Sequence, residues 1–95
     1  HFMNTNTLPA NPKPGDSYVQ SFARGLEVIR SFSANAPQQT LSEVAAQTGL
    51  TRAGARRILL TLQTLGYVES DGRLFRLTPR ILDLGFAYLS SMPKG

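Results

Sequence analysis

A single glycine turn divides residues 40–62 into two short helices, and this pattern restricts the possible fold more than any other feature of the sequence. Thr40 and Glu43 match a T-x-x-E capping box, in which each side chain satisfies a backbone N–H group at a helix start. Gly49 ends that helix because glycine readily adopts the left-handed conformation, and Thr51 caps the next helix. The segment therefore predicts a helix-turn-helix, which points to the DNA major groove.

The second helix of the pair has two chemically different faces when its residues are placed about 100° apart. An apolar stripe is expected to be buried and consists of Ala55, Ile58, Leu59, Leu62 and Leu65. The other side carries Arg52, Ala53, Arg56 and, at its edge, Arg57. Leu60 also projects outward, and contact with the following hairpin would account for it.

Three small residues predict close approach of neighbouring backbones. Ala45 in the first helix of the pair and Ala55 in the second allow the two helices to pack tightly. Gly54 costs about 1 kcal/mol relative to alanine in a helix interior, so a close neighbour is expected there. That neighbour is either the preceding helix or a DNA backbone, and the helix is favoured.

The net charge of +4 is concentrated in the second half of the chain. Residues 49–80 contain six arginines against two acidic residues, whereas the segments 1–48 and 81–95 are each neutral. A clustered basic surface is the electrostatic footprint of a polyanionic partner. Charge therefore favours nucleic acid as the partner, the alternative being an ordinary solvated surface.

Two short alternating segments, 67–70 and 73–77, predict a β-hairpin directly after the helix pair. The Asp-Gly dipeptide at 71–72 is typical of a type I′ turn between such strands. A hairpin at this place is expected to be the wing of a winged helix. Arg73 beside its tip and Arg76 along it are candidates for contact with phosphates or a minor groove, the alternative being two solvated side chains.

Helical spacing of apolar residues predicts one more helix on the N-terminal side of this unit. It covers residues 18–32, with Ser17 or Ser21 as the possible cap. One face of it is apolar and consists of Phe22, Leu26, Ile29 and Phe32. Residues 33–39 then form a loop, because Asn35 and Pro37 break any continuation of the helix.

Thr78 as cap and Pro79 at the first position predict a last helix over residues 79–91. Apolar residues spread around most of its circumference, which is more than so small a domain can cover. Part of this helix is therefore expected to be buried in a partner. The candidate dimerisation residues are Leu82, Phe86 and Leu89.

These elements predict a mainly α fold with a small β-hairpin: a winged helix-turn-helix of three helices plus wing, followed by a linker helix. The winged helix-turn-helix covers residues 18–78 and the linker helix 79–91. Residues 1–17 are expected to be a disordered tail, whose start resembles residues left by cloning, and 92–95 a second tail.

Few residues suit catalysis or metal binding. The only histidine is His1, cysteine is absent, and the six carboxylates form no inward-facing pair on one element. The sequence therefore predicts no enzyme activity, no metal site and no cofactor. It also lacks a signal peptide and any apolar run of about 20 residues, which favours a cytoplasmic location and no membrane contact.

Three segments together resemble the N-terminal DNA-binding domain of the IclR family of bacterial transcription regulators. They are SFARGLEVIRSF, LSEVAAQTGLTRAGARRILLTLQTLGYVE and LTPRILDLGFAYL, and the resemblance extends from about residue 18 to residue 91. The sequence is similar in particular to the subgroup that controls aromatic-acid breakdown through protocatechuate and the β-ketoadipate route. The chain stops near the end of the linker helix, so a C-terminal effector-binding domain is expected to be absent from it.

The resemblance implies double-stranded palindromic operator DNA as the partner, bound by a homodimer or, for the intact protein, a tetramer. A small aromatic-acid effector would bind only through the absent C-terminal domain, and the regulator would be associated with the bacterial nucleoid. This chain has Ala53 and Gly54 where many members place hydroxyl residues, which shifts base reading to Arg52 and Arg56. Arg57 matches an arginine typical of the family.

These considerations predict two sets of DNA contacts, with the helix over residues 51–65 in the major groove. The base-reading residues are Arg52, Ala53 and Arg56. The backbone-contacting residues are Arg24, Thr51, Arg57, Arg73 and Arg76. The rival function is a winged-helix protein interaction module, which predicts a polar and neutral third helix instead of one with three arginines.

Overall fold

The computed structural model describes residues 17–93, which form four helices and a small antiparallel sheet. The helices are α1 (Gln20–Ser31), α2 (Leu41–Thr48), α3 (Arg52–Leu65) and α4 (Leu82–Ser91). The strands are β1 (Gln39–Thr40), β2 (Val68–Ser70) and β3 (Leu74–Leu77), in the order β1-β3-β2. The predicted mainly α winged fold is confirmed. The predicted tails lie outside the described residues, except for residues 17, 92 and 93.

The hydrophobic core lies where α1, α2, α3 and the start of the wing meet. Its buried residues are Val28, Phe32, Val44, Ala45, Ala55, Leu59, Leu62 and Val68. The small side chains of Ala45 and Ala55 are both buried, and α2 and α3 pack directly against each other. The predicted close approach within the helix pair is therefore confirmed for these two alanines.

Local hydrogen bonds set the ends of α2 and the start of α3, as predicted. The Thr40 Oγ1 accepts from the Glu43 N–H at 3.2 Å, and the Glu43 carboxylate accepts from the Thr40 N–H at 2.8 Å. Gly49 ends α2 with φ of 75°, in the left-handed region. Thr51 caps α3 by accepting from the Gly54 N–H at 3.0 Å. These contacts fix the direction in which α3 leaves α2.

Strand β1 is an element that the sequence prediction missed. Gln39 and Thr40 pair with Phe75 and Leu74 of β3, so the predicted loop over residues 33–39 ends in a strand. Two residues are too few for an alternating pattern to indicate a strand, and their partner lies more than thirty residues away. The pairing joins the start of α2 to the wing, so the sheet holds the wing against the helix pair.

The turn of the wing differs from the predicted type I′ turn. Ser70 pairs with Phe75, so the central turn residues are Gly72 and Arg73, and only the glycine has positive φ, at 104°. The Asp71 carboxylate accepts from the backbone N–H groups of Leu74 at 2.8 Å and Arg73 at 2.9 Å. These bonds lower the pKa of Asp71 below its usual value. The side chain of Asp71 thus shapes the turn, while the backbone φ of Asp71 itself stays negative.

The predicted apolar faces of α1 and α3 are only partly buried. Phe22 is 68% exposed and Leu26 is also exposed, whereas Val28 and Phe32 face the core. Leu65 in the last turn of α3 is 53% exposed, so its predicted burial is wrong. The reason is geometric: the exposed residues line a groove of about 850 Å³ between α1, α3 and the start of α4, which no side chain of residues 17–93 fills.

Two further local predictions are wrong. The cap of α1 is Val19, with no side-chain cap bond, so neither Ser17 nor Ser21 caps the helix. A Cβ added at Gly54 would lie 3.1 Å from Thr51 Oγ1, and no atom of α2 lies among its near neighbours. The favoured contact with α2 is therefore wrong, and within the described residues the close neighbour of Gly54 is the capping side chain of its own helix; approach to a DNA backbone stays a prediction.

The corner between the wing and α4 is held by hydrogen bonds and an aromatic contact. Thr78 donates its backbone N–H to the Tyr67 carbonyl at 2.9 Å, and its hydroxyl accepts from the Arg80 N–H at 3.2 Å. The Arg80 guanidinium lies 5.9 Å from the centre of the Tyr67 ring. The predicted cap and N1 proline are confirmed, with a single 3₁₀ turn over Pro79–Ile81 ahead of α4.

Helix α4 contributes no residue to the core. Its large apolar side chains are all exposed: Leu82, Leu84, Phe86, Tyr88 and Leu89. The predicted wide apolar surface is therefore present. None of the helices within residues 17–93 is long and apolar enough to cross a membrane.

Candidate nucleic-acid interface

The outward face of α3 is basic and open. Arg52, Ala53, Arg56 and Arg57 are all exposed, while Ala55 faces the core from the same turns of helix. Within residues 17–93, none of the three arginines forms an ion pair. Their charges are therefore available to an external anion, and α3 is not the neutral helix that a protein interaction module predicts.

The core holds this face in one orientation. Leu59 and Leu62 bury the opposite side of α3, and the Thr51 cap fixes its first turn. The N–H of Leu50 donates to the Ala45 carbonyl at 3.1 Å, which closes the turn between α2 and α3. A rigid helix with a defined entry turn is the kind of element on which binding side chains are positioned accurately.

The structure brings together the three predicted base-reading residues. Arg52 and Arg56 are four residues apart, so they lie one above the other on α3, with Ala53 beside them. The guanidinium group of arginine presents a fork that matches O6 and N7 of guanine. The first two turns of α3 thus present two long side chains that donate hydrogen bonds, together with the methyl group of Ala53, on one surface.

Arg24 and Arg57 lie on neighbouring helices at the side of this surface. Both line the groove between α1 and α3. Arg24 also lines a smaller cleft of about 240 Å³ that includes Thr48 and Gly49, so it lies close to the turn that starts α3. Two cations in this position extend the basic surface from α3 onto α1.

The two wing arginines differ in their surroundings. Arg73 is exposed within the turn, whereas the Arg76 Nε donates to the Glu69 carboxylate at 2.8 Å. The sequence prediction missed this pair because a turn centred on residues 71–72 would place Arg76 opposite Tyr67. The observed register places Arg76 opposite Glu69. Of the two, only Arg73 is without an acidic partner in the described part of the chain.

Arg80 is a further cation whose position the sequence prediction did not address. Its side chain packs over the Tyr67 ring, and its Cδ lies 3.1 Å from where a Cβ would be at Gly66. This arginine supports the corner between the wing and α4. The six arginines of residues 49–80 therefore do not form one uniform basic surface.

Comparison with known proteins also identifies a helix-turn-helix domain in this chain. The family model for the IclR helix-turn-helix domain matches residues 21–72, more than half of the chain. The chain belongs to the IclR family. Its predicted family resemblance is therefore confirmed, and the match covers α1 from its second residue, the helix pair and the first strand of the wing.

Two bacterial relatives are similar to this IclR domain over most of its length. The chain is 46% identical over 76 residues to the Pca regulon regulatory protein of Pseudomonas putida, covering 80% of this chain and 26% of that protein. It is 42% identical over 81 residues to the Pca operon regulatory protein of Acinetobacter baylyi, covering 83% and 29%. The chain thus spans less than a third of the length of either relative.

A solved structure has the same fold. The chain superimposes on a protein of Rhodococcus sp. RHA1, described as a transcriptional regulator, with a TM-score of 0.73 and 62% identity. The match covers 80% of this chain and 30% of that one. Family and fold together make this chain an IclR helix-turn-helix domain, similar to part of proteins that are described as regulatory.

Proposed function

We propose that this IclR-family domain binds a palindromic operator sequence-specifically, with the N-terminal half of α3 in the major groove and the wing on the backbone or minor groove. The observation that carries the proposal is the pair Arg52 and Arg56, exposed, one helical turn apart and without an ion pair within residues 17–93. A major groove about 12 Å wide admits a helix of this size.

Base reading is assigned to the outward side chains of the first two turns of α3. Arg52 and Arg56 each donate two hydrogen bonds to a guanine, and Ala53 contacts a thymine methyl group. One bidentate contact of this kind discriminates against the wrong base by about 1 to 3 kcal/mol. Two arginines and a small apolar residue thus specify a short and G-containing half-site.

Backbone contacts surround this reading surface. Arg24 and Arg57 bind phosphates on the α1 side, Thr51 adds a polar contact at the start of α3, and Arg73 reaches the DNA from the wing. Arg76 joins them by exchanging the Glu69 carboxylate for a phosphate. These contacts position the domain on the duplex and carry no sequence information of their own.

The intact regulator is proposed to act as a dimer on two half-sites. The exposed apolar residues Leu82, Phe86 and Leu89 of α4 support this assignment, because such a surface gains stability only when a partner covers it. Two domains related by a two-fold axis would read half-sites spaced by one or more turns of DNA, each about 34 Å. An intact tetramer would pair two such dimers.

Similarity to the two Pca regulators supports control of aromatic-acid catabolism. We assign recognition of a small aromatic acid to a C-terminal domain of the intact protein, since the chain covers only 26% and 29% of these relatives. Because its target is chromosomal DNA, the regulator works in the bacterial cytoplasm on the nucleoid.

Selection of binding sites from a random pool of duplexes tests the proposal directly. The expected result is a palindrome whose half-sites contain guanines and are separated by a whole number of helical turns. A neutral protein interaction module would enrich no duplex above the starting pool. A winged helix that binds DNA without reading it would enrich no consensus sequence.

A further inference from the structure

Leu60 is a large apolar residue on the outward face of α3. It is 41% exposed, although the next residue toward the N-terminus, Leu59, is fully buried. At about 100° per residue, Leu60 lies within about 20° of Ala53 and within about 40° of Arg56 around the helix. It therefore continues the stripe assigned to base reading.

The fold itself gives Leu60 no place in the core or in the apolar groove. The core cluster does not include it. Leu65, an exposed leucine on the same helix, lines the groove between α1, α3 and α4, and Leu60 does not. The Thr64 hydroxyl donates to the Leu60 carbonyl at 2.9 Å, an i to i−4 contact within the helix, so Leu60 lies in regular helix. A single exposed leucine is common on protein surfaces, but this one lies next to Arg56, an arginine that we assign to base reading.

The major groove offers few apolar groups to such a side chain. The edges of the bases present donors, acceptors and, on thymine alone, a 5-methyl group. We propose that Leu60 is a specificity-determining residue that packs against the 5-methyl group of a thymine in each half-site. The inference rests on the proposed function, since it requires α3 to lie in the major groove.

Helix geometry places this thymine relative to the other contacts. Leu60 is four residues beyond Arg56, which is about 6 Å along the helix axis. With bases about 3.4 Å apart, the thymine lies within about two base-pair steps of the base that Arg56 contacts. A thymine contacted by Ala53 lies at the opposite end of the half-site, because Ala53 is seven residues away from Leu60.

Replacing thymine by deoxyuridine tests the contact, because it removes the methyl group and leaves every hydrogen-bonding group in place. The probe is the duplex that this chain selects from a random pool, with each thymine replaced singly, and binding is measured by fluorescence anisotropy. For the unmodified protein we expect one position per half-site, in addition to the thymine that Ala53 contacts, where the replacement weakens binding about fourfold. With Leu60→Ala we expect the replacement at that position to have no effect.

Leu65→Ala is the matched control, because it removes the same atoms from an exposed leucine that lies outside the stripe assigned to base reading. It is expected to leave every deoxyuridine effect unchanged. Circular dichroism melting establishes that each variant is folded. In a second variant, Leu60→Gln, repeated selection is expected to lose the thymine preference at that position while the guanine preferences persist.

The outcomes separate this inference from the proposed function. A selected consensus whose deoxyuridine effects are identical for the unmodified protein and Leu60→Ala overturns the role of Leu60 alone. An unchanged thymine preference with Leu60→Gln overturns it as well. Failure to select any duplex overturns both the proposed function and the contact that depends on it.

Discussion

At the residue scale, arginines with the same charge have different surroundings. Arg52 and Arg56 project from α3 without an ion pair in the described part of the chain, whereas Arg76 is held by a carboxylate and Arg80 by an aromatic ring. A guanidinium group whose charge is already partly neutralised by a carboxylate, or whose position is fixed by an aromatic ring, contributes less to DNA binding than a free one. The contribution of each arginine to binding therefore depends on its environment.

Replacing Arg56 and Arg57 separately tests their different roles. Arg56→Ala is expected to weaken binding by about 1 to 3 kcal/mol and to relax the preference at one base pair per half-site. Arg57→Ala is expected to weaken binding to all duplexes about equally, because a phosphate contact is independent of sequence. Titrations against the selected duplex and its single-base variants measure both effects. The reverse result would exchange the two roles.

The wing ion pair predicts that Glu69→Gln strengthens DNA binding. With no carboxylate to give up, Arg76 contacts a phosphate at a lower free-energy cost, so binding to all duplexes strengthens about equally. Asp83→Asn is the control, since it removes the same charge from α4. Equal gains in affinity for the two variants would mean that only net charge matters. The stability of the domain should change little, because an exposed ion pair contributes about 0.2 to 1 kcal/mol.

At the element scale, the wing depends on contacts between neighbours in sequence and on a distant strand. The Asp71 side chain shapes its turn, and β1 supplies its outer edge. The helix pair differs, because its caps and its turn are made by hydrogen bonds between residues at most five apart. We therefore expect the wing to respond to pH at its tip, independently of the helix pair.

Asp71 makes the wing turn less stable in acid. Its pKa is lowered in the folded state, so its carboxylate stabilises the turn fully above the ordinary aspartate pKa, and the stabilisation is lost as the pH falls through the lower folded value. The amide resonances of Arg73 and Leu74 are expected to titrate with a midpoint below that of an unstructured aspartate. NMR titration measures this midpoint, and Asp71→Asn should abolish the transition. A midpoint at or above the ordinary value would contradict the assigned hydrogen bonds.

At the scale of the whole molecule, apolar surface remains that residues 17–93 do not cover. The groove between α1, α3 and α4 and the exposed side chains of α4 form two such regions. The groove borders the basic face, since Arg24 and Arg57 line it, but Arg52, Ala53 and Arg56 do not. A partner in the groove would therefore leave the proposed base-reading residues open to DNA.

Dimer formation on DNA predicts a steep salt dependence and sensitivity to charges on α4. With three or four phosphates neutralised per subunit, the log-log salt slope of a dimer is expected to be roughly −5 to −7. Leu82→Glu and Phe86→Glu should weaken operator binding and reduce the sedimentation coefficient of the complex. Ser90→Glu adds the same charge at a polar position of α4 and serves as the control. Dimerisation would be contradicted if Leu82→Glu and Phe86→Glu both left the affinity for operator DNA unchanged and the complex sedimented with one protein chain on the DNA.

The sequence by itself determined the features that depend on close neighbours in the chain. The capping box of α2, the glycine that ends it and the Thr51 cap all join residues at most four apart, so their residue types suffice to predict them. The arginine face of α3 follows in the same way from helical periodicity. These features were enough to predict the fold class, and the residues they place on α3 form the proposed reading surface.

The tertiary structure alone decided the features that need partners distant in sequence. Strand β1 exists because β3 lies beside it, and Arg76 meets Glu69 only in the register that Gly72 and Arg73 impose. Burial of Val28 and exposure of Phe22 likewise depend on which helices pack against α1. Periodicity reports that a face is apolar, but only the assembled core shows how much of that face is covered. Periodicity already placed Leu60 on the outward side of α3, and the structure adds it to the functional hypothesis because the core leaves it exposed.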